Sequence, residues 1–100
     1  MSRTKYIIEP IVVNNLLIKE VVIDGHYKEK HGSYLDDQKI LEIVRRLDGR
    51  KQLPDSEVDG FSYFASLLEY QGKRYRLVWL LEEQTIYLGV INVYRDDRER

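Results

Sequence analysis

The stretch Lys5–Asp24 reads KYIIEPIVVNNLLIKEVVID, two runs rich in isoleucine and valine with Asn14-Asn15 between them. Branched side chains favour strands. Asparagine tolerates the positive φ that a two-residue hairpin turn demands. The pattern therefore predicts strands at Lys5–Val13 and Leu16–Asp24 joined by that turn. Pro10 has no N–H to give to a ladder, so the first strand should lie at a sheet edge. Asp24-Gly25 punctuates the end of the hairpin.

Beyond the hairpin, Ile40, Leu41, Ile43, Val44 and Leu47 recur at helical spacing. Ser33, Asp36 and Asp37 precede them as N-cap candidates, Ser33 and Asp36 spaced as in a capping box. Arg45 and Arg46 suit the negative end of the helix dipole, and Gly49 suits a left-handed stop. The spacing predicts a helix over Asp36–Asp48. Arg50–Gly60, broken by Pro54 and by Asp59-Gly60, reads as a loop. Strands follow at Phe61–Tyr70, Lys73–Leu81 and Thr85–Arg95, with turns at Gln71-Gly72 and Glu83-Gln84. The expected fold class is α+β: an antiparallel β-sheet, made of the N-terminal hairpin and a C-terminal three-stranded meander, packed against one main helix. Residues 1–100 read as a single domain whose tail, 96–100, should fray.

Composition narrows the function. The chain has 100 residues, 43% hydrophobic and 33% charged, which suits one globular domain with a modest core. No apolar run approaches the roughly 20 residues that cross a membrane. The start, MSRTKYIIEP, lacks the apolar stretch of a secretory signal. The absence of cysteine excludes a disulfide framework, a thiolate metal site and a cysteine nucleophile, and suits the cytoplasm, the expected location. A net charge of −1 gives no overall attraction to nucleic acid, so any such binding needs a local basic patch.

Both histidines lie in Gly25–Gly32, GHYKEKHG. Five residues apart, His26 and His31 point to different sides of a helix and to opposite faces of a strand, a poor spacing for one metal ion. No metal site is assigned. Acid–base work suits them better, because imidazole titrates near neutrality. Lys28 and Lys30 could hold an anion beside them. The same segment also reads as a solvated connection from hairpin to helix, and both readings stand at this point. Tyr27 and Tyr34, two of eight tyrosines, read either as stacking platforms for bases or as core residues with a satisfied hydroxyl.

The segment Lys73–Arg95, KRYRLVWLLEEQTIYLGVINVYR, resembles the closing hairpin of RelE/ParE-type toxins. The match is Tyr75-Arg76-Leu77-Val78, then Glu82-Glu83, then Val90 through Arg95. The resemblance implies a metal-free endoribonuclease with no cofactor, paired with an antitoxin protein and acting on RNA; the ParE branch acts on DNA gyrase instead. It implies that Arg76 contacts phosphate, with Arg95 as the terminal basic position and Tyr94 beside it. His26 and His31 match the histidine-rich turn of a broader group of small nuclease-like domains, and would be the acid and the base. Lys28, Lys30, Arg76 and Arg95 are thus the candidate phosphate-binding residues. His26, His31, Arg76, Arg95 and Tyr94 are the candidate catalytic ones. A non-catalytic interaction domain that uses its sheet face or Pro10 edge is the alternative, and a small-anion or nucleotide-binding protein a third.

A two-residue turn at Glu83-Gln84 sets the expected register of the closing hairpin: Leu81 opposite Ile86, Trp79 opposite Leu88, Leu77 opposite Val90 and Arg76 opposite Ile91. Alternation then places Arg76 and Arg95 on one face with Tyr87, and Tyr94 on the other. Gly89 would leave a gap between the arginines where a phosphate could approach the backbone.

Overall fold

The computed structural model describes residues 2–82 and 87–96. Its strands are β1 (Arg3–Val13), β2 (Leu16–Asp24), β3 (Ser56–Val58), β4 (Phe61–Tyr70), β5 (Lys73–Glu82) and β6 (Tyr87–Arg95). They form one sheet in the order β1-β2-β6-β5-β4-β3. Between β2 and β3 come a 3-10 turn (Gly25–Tyr27), helix α1 (Lys28–His31), helix α2 (Asp37–Val44) and a second 3-10 turn (Arg45–Leu47). Strand makes up 57% and helix 20% of the described residues, so a sheet packed against one main helix is not what forms.

The sheet is mixed instead of antiparallel. β2 runs parallel to β6, with Glu20 opposite Tyr87 and Ile23 opposite Val90. Without β2, the meander would end at β6 with its backbone donors and acceptors unpaired beside Leu88 and Val90. Docking the hairpin there satisfies them. β1 is one of the two edge strands, as Pro10 requires, and β3 is the other. Pro10 lies where the β1–β2 register shifts, between Ile7 and Ile11. Tyr6 and Ile8 pack on the core before the shift, Ile11 and Val13 after it. Arg45 Nη1 donates to the Glu9 carbonyl there at 2.9 Å, so this arginine does more than complement a dipole.

The expected helix forms as α2 followed by the 3-10 turn Arg45–Leu47, and α1 is an additional short helix in the segment that carries the histidines. Asp36 caps α2 by accepting the Lys39 N–H at 2.8 Å. The α-helix stops at Val44, four residues before the expected end, because Asp48 is needed elsewhere. Its carboxylate accepts the Val12 N–H at 2.8 Å. Gly49 N–H then donates to the Val12 carbonyl at 2.7 Å, and Asn14 N–H to the Arg50 carbonyl at 2.9 Å. Residues 48–50 thereby cover the exposed edge of β1 along Val12–Asn14. The supposed loop also holds a strand: Ser56–Val58 pairs with Phe61–Tyr63. All three of its residues are exposed, so no alternation betrays it. Asp59-Gly60 (φ 52° and 84°) makes the same kind of turn as Asn14-Asn15 (53° and 64°) and Gln71-Gly72 (52° and 77°).

The core lies on one face of the sheet. Ile40, Ile43, Val44 and Leu47 pack against Val21, Ile23, Leu77, Leu88 and Val90, all buried. Phe64 and Trp79 stack with centroids 4.0 Å apart. The Trp79 indole donates to Ser66 Oγ at 2.9 Å. Among the described residues no helix covers the other face, where Tyr63, Val78, Leu80 and Ile91 remain partly exposed. Among the described residues no helix is long and apolar enough to cross a membrane.

Candidate functional site

The register of β5 and β6 decides what the open face presents. Leu81 lies opposite Leu88 and Trp79 opposite Val90, two residues from the expected pairing. The proposed turn at Glu83-Gln84 lies outside the described residues. A bulge then adds Ile91, so Val78 pairs with Asn92, Leu77 with Val93 and Arg76 with Tyr94. The extra residue reverses the alternation. Val93 turns into the core, Tyr94 joins Arg76 on the open face, and Arg95 falls opposite the buried Tyr75. Arg76 and Arg95 therefore lie on opposite faces, contrary to expectation. The Gly89 gap is also filled: a Cβ there would sit 2.9 Å from Leu80 Cδ1, so Leu80 occupies the space.

Where β2 ends, the histidine segment continues alongside β6 and brings His31 against Tyr94. The His31 ring stacks on Tyr94, centroids 5.7 Å apart and planes 27° off parallel. Tyr34 meets the same ring edge-on at 5.7 Å. Its hydroxyl lies 2.7 Å from His31 Nδ1, and accepts the Arg95 N–H at 3.2 Å. The Arg95 guanidinium lies over the Tyr34 ring, 5.2 Å from its centroid. One row across the sheet thus reads His31, Tyr94, Arg76.

Arg76 is held as well. Its Nη2 donates to Asp96 Oδ2 at 3.0 Å, and Asp96 is anchored by its N–H to the Arg74 carbonyl at 2.9 Å. Asp96, the first residue of the tail expected to fray, is buried; residues 97–100 lie outside the described residues. Arg74 falls on the open face beside Arg76, by alternation along β5.

The segment carrying the histidines is fixed from below by Tyr27, which is buried. Its hydroxyl donates to Asp37 Oδ1 at 2.6 Å, and Tyr6 donates to Asp37 Oδ2 at 2.6 Å. Burial first, then the bond to Asp37, pushes the Tyr27 phenol well above its ordinary pKa. Of the two open readings, Tyr27 is a core residue with a satisfied hydroxyl.

His26 is placed differently from His31. Its N–H donates to Asp24 Oδ1 at 2.9 Å, and its ring Nδ1 faces Glu29 Oε1 at 4.0 Å. Lys28 and Lys30 are exposed on α1. Among the described residues no group of three or more potential ligands is placed to hold a metal ion.

The structure thus brings His31, Tyr94 and Arg76 together, adjoins Arg95 through Tyr34, and turns His26 toward Glu29. Sequence reasoning missed the partners Tyr34 and Asp96. Both had a signal: Tyr34 lies one helical turn beyond His31, and Asp96 alternates with Tyr94 on one face. Chemically, a hydroxyl partner suits a proton carrier. The Tyr34 oxygen can accept from Nδ1–H whether or not Nε2 is protonated, so the ring keeps one orientation through a proton transfer. Compared with protein-family models, curated proteins and solved structures, the chain has no match.

Proposed function

We propose that the chain is a metal-independent endoribonuclease of the RelE/ParE-like kind, centred on the row His31, Tyr94 and Arg76. The observation that carries this reading is His31 itself, clasped by two tyrosines with Nδ1 engaged by the Tyr34 hydroxyl; in the proposed reaction Nε2 is the nitrogen that meets the substrate. In the reaction, Nε2 takes the proton of a ribose 2′-hydroxyl. The 2′-oxygen forms a bond to the adjacent phosphorus as the bond to the 5′-oxygen breaks. Tyr94 gives its proton to that leaving oxygen and regains one from solvent. Arg76, with one nitrogen committed to Asp96, turns its remaining donors to the phosphate. His26, facing Glu29, gives up the acid role that the resemblance implied. RNA would be the substrate, an antitoxin protein the partner and the cytoplasm the setting.

Purified protein incubated with RNA in EDTA tests this. Cleavage leaving 2′,3′-cyclic phosphate ends is expected, and His31→Ala should lower the rate by about 10²- to 10⁴-fold. Intact RNA, together with undisturbed growth of a bacterial host full of soluble protein, would refute the proposal. A non-catalytic interaction domain is then the better reading, and the partly exposed Tyr63, Val78, Leu80 and Ile91 favour it.

A further inference from the structure

The open face carries a second feature, away from His31. A cavity of about 310 Å³ is bounded by Arg3, Val22, Asp24, Tyr63, Leu80 and Tyr87, among others. Its floor is one row across the sheet: Val22 lies opposite Gly89, Gly89 opposite Leu80 and Leu80 opposite Tyr63. Gly89 shapes that floor. Leu80 lies down over it, filling the volume that any larger residue would need. The Tyr87 ring leans over the same glycine, with Cε2 3.6 Å from where a Cβ would be. The Tyr87 hydroxyl is tied to Glu82 Oε1 at 2.9 Å. Two tyrosines therefore flank a shallow aliphatic floor.

The rim carries the polar groups. Arg3 and Asp24 lie opposite each other across β1 and β2. Asp24 spends Oδ1 on the His26 N–H, and its other oxygen can accept from a ligand. The cavity is at the small end of ligand sites, which run from about 300 to 1,000 Å³. Flat apolar walls, one carboxylate acceptor and one cation fit a planar heteroaromatic ring that bears N–H donors and is joined to a phosphate. That is a nucleotide.

We propose that this cavity takes a nucleobase of a single-stranded RNA lying along the open face of β6. The inference rests on the reading of the chain as an RNA-cleaving protein and adds how its substrate is recognised. From Gly89 to Tyr94 is five residues, or roughly 16 Å along a strand. The base in the cavity therefore belongs to a nucleotide some way from the cleaved bond. A paired base has its edge and faces occupied and cannot enter, so single-stranded substrate is selected.

Two measurements test this. In the first, AMP, GMP, CMP and UMP are titrated into the labelled protein and amide shifts are read by NMR. In the second, the affinity of a 2′-O-methyl hexanucleotide, which binds but cannot react, is compared between wild type, Tyr63→Ala and Arg3→Ala. At least one monophosphate should shift Val22, Leu80 and Gly89. Tyr63→Ala should weaken the hexanucleotide about 5- to 100-fold, and Arg3→Ala should weaken it less. Arg3 is exposed, so that variant serves even if Tyr63→Ala does not fold. Shifts at the cavity without any RNA cleavage would support the base site while removing the enzyme. Cleavage with no cavity shifts and unchanged affinity in the variants would remove the base site and leave the enzyme. Shifts produced by an apolar peptide but by no nucleotide would overturn the proposal in favour of a protein partner.

Discussion

Arg76 and Asp96 form an ion pair at 3.0 Å in which the carboxylate side chain is 4% exposed and the guanidinium 28%. The pair fastens the end of β6 to β5 and fixes the arginine beside Tyr94. Removing one partner of such a pair strands the other charge, and that costs more than the pair was worth. Asp96→Ala should therefore lower stability by about 2–3 kcal/mol, and Asp96→Asn, which keeps an acceptor, by less. Urea denaturation followed by the single tryptophan reads both. Equal stability of wild type and Asp96→Ala would mean that the tail is not fastened.

The turn at Asn14-Asn15 separates two effects that are hard to tell apart by sequence. Both residues have positive φ, 53° and 64°. Only Asn14 uses its side chain: Nδ2 donates to the Gln52 carbonyl at 3.0 Å, and Oδ1 accepts the Gln52 N–H at 2.7 Å. Asn15→Gly relieves the left-handed conformation and should raise stability by about 0.5 kcal/mol. Asn14→Gly relieves the same strain but loses both bonds, and should lower stability by about 1–2 kcal/mol. Thermal unfolding of the two variants should move in opposite directions.

How much was legible depended on whether local chemistry or distant pairing decided the outcome. The hairpin Lys5–Asp24 was readable because the branched runs and Asn14-Asn15 act within a few residues. The edge position of Pro10 was readable for the same reason, and Asp36 was one of three cap candidates, the one that the structure uses for α2. The parallel pairing of β2 with β6 was not, since nothing in Val21 or Ile23 says which strand will lie beside them. The helix tightens into a 3-10 turn and ends before Asp48, a plausible helical residue until Val12, thirty-six positions away, claims its carboxylate. At the site, His31, Tyr94 and Arg76 were named from sequence, but their grouping depends on Ile91. One extra residue in β6 exchanged the faces of Tyr94 and Arg95 relative to Arg76, and no pattern marks it.

Alkali should unfold this chain through its tyrosines. Tyr27 is raised well above 10.0 by burial and by Asp37. Tyr6 is raised by its bond to Asp37, and Tyr87 by burial and then by Glu82. A phenol with a raised pKa in the folded state stays protonated there while the unfolded chain ionises. Its stabilising contribution is whole below pH about 10 and is lost as the pH climbs beyond that. Urea midpoints should accordingly be flat from neutral pH to about 9 and fall above 10. Tyr27→Phe should lose about 1 kcal/mol at neutral pH and show a shallower alkaline decline. An equally steep decline in Tyr27→Phe would place the alkaline sensitivity elsewhere.

Tyr34 touches His31, Arg95 and no expected position of the reacting phosphate, so its role in the proposed reaction is to position. Its hydroxyl joins Nδ1 of His31 to the backbone of Arg95, while its ring faces the histidine on one side and lies beneath the Arg95 guanidinium on another. Tyr34→Phe keeps the ring and removes only the hydroxyl. The imidazole then keeps its stacking on Tyr94 but loses the partner that orients Nδ1 in both protonation states. Turnover should fall by about tenfold, less than the loss expected for His31→Ala. KM should hardly change, because no contact to RNA is removed. A merely structural role predicts otherwise: a lower unfolding temperature, with turnover near that of wild type when both are assayed well below it. His26→Ala supplies the comparison, and should cost at least tenfold less than His31→Ala. If His26→Ala proved the more damaging of the two, the proton carrier would be the histidine facing Glu29, and the row His31, Tyr94 and Arg76 would not be the reacting centre.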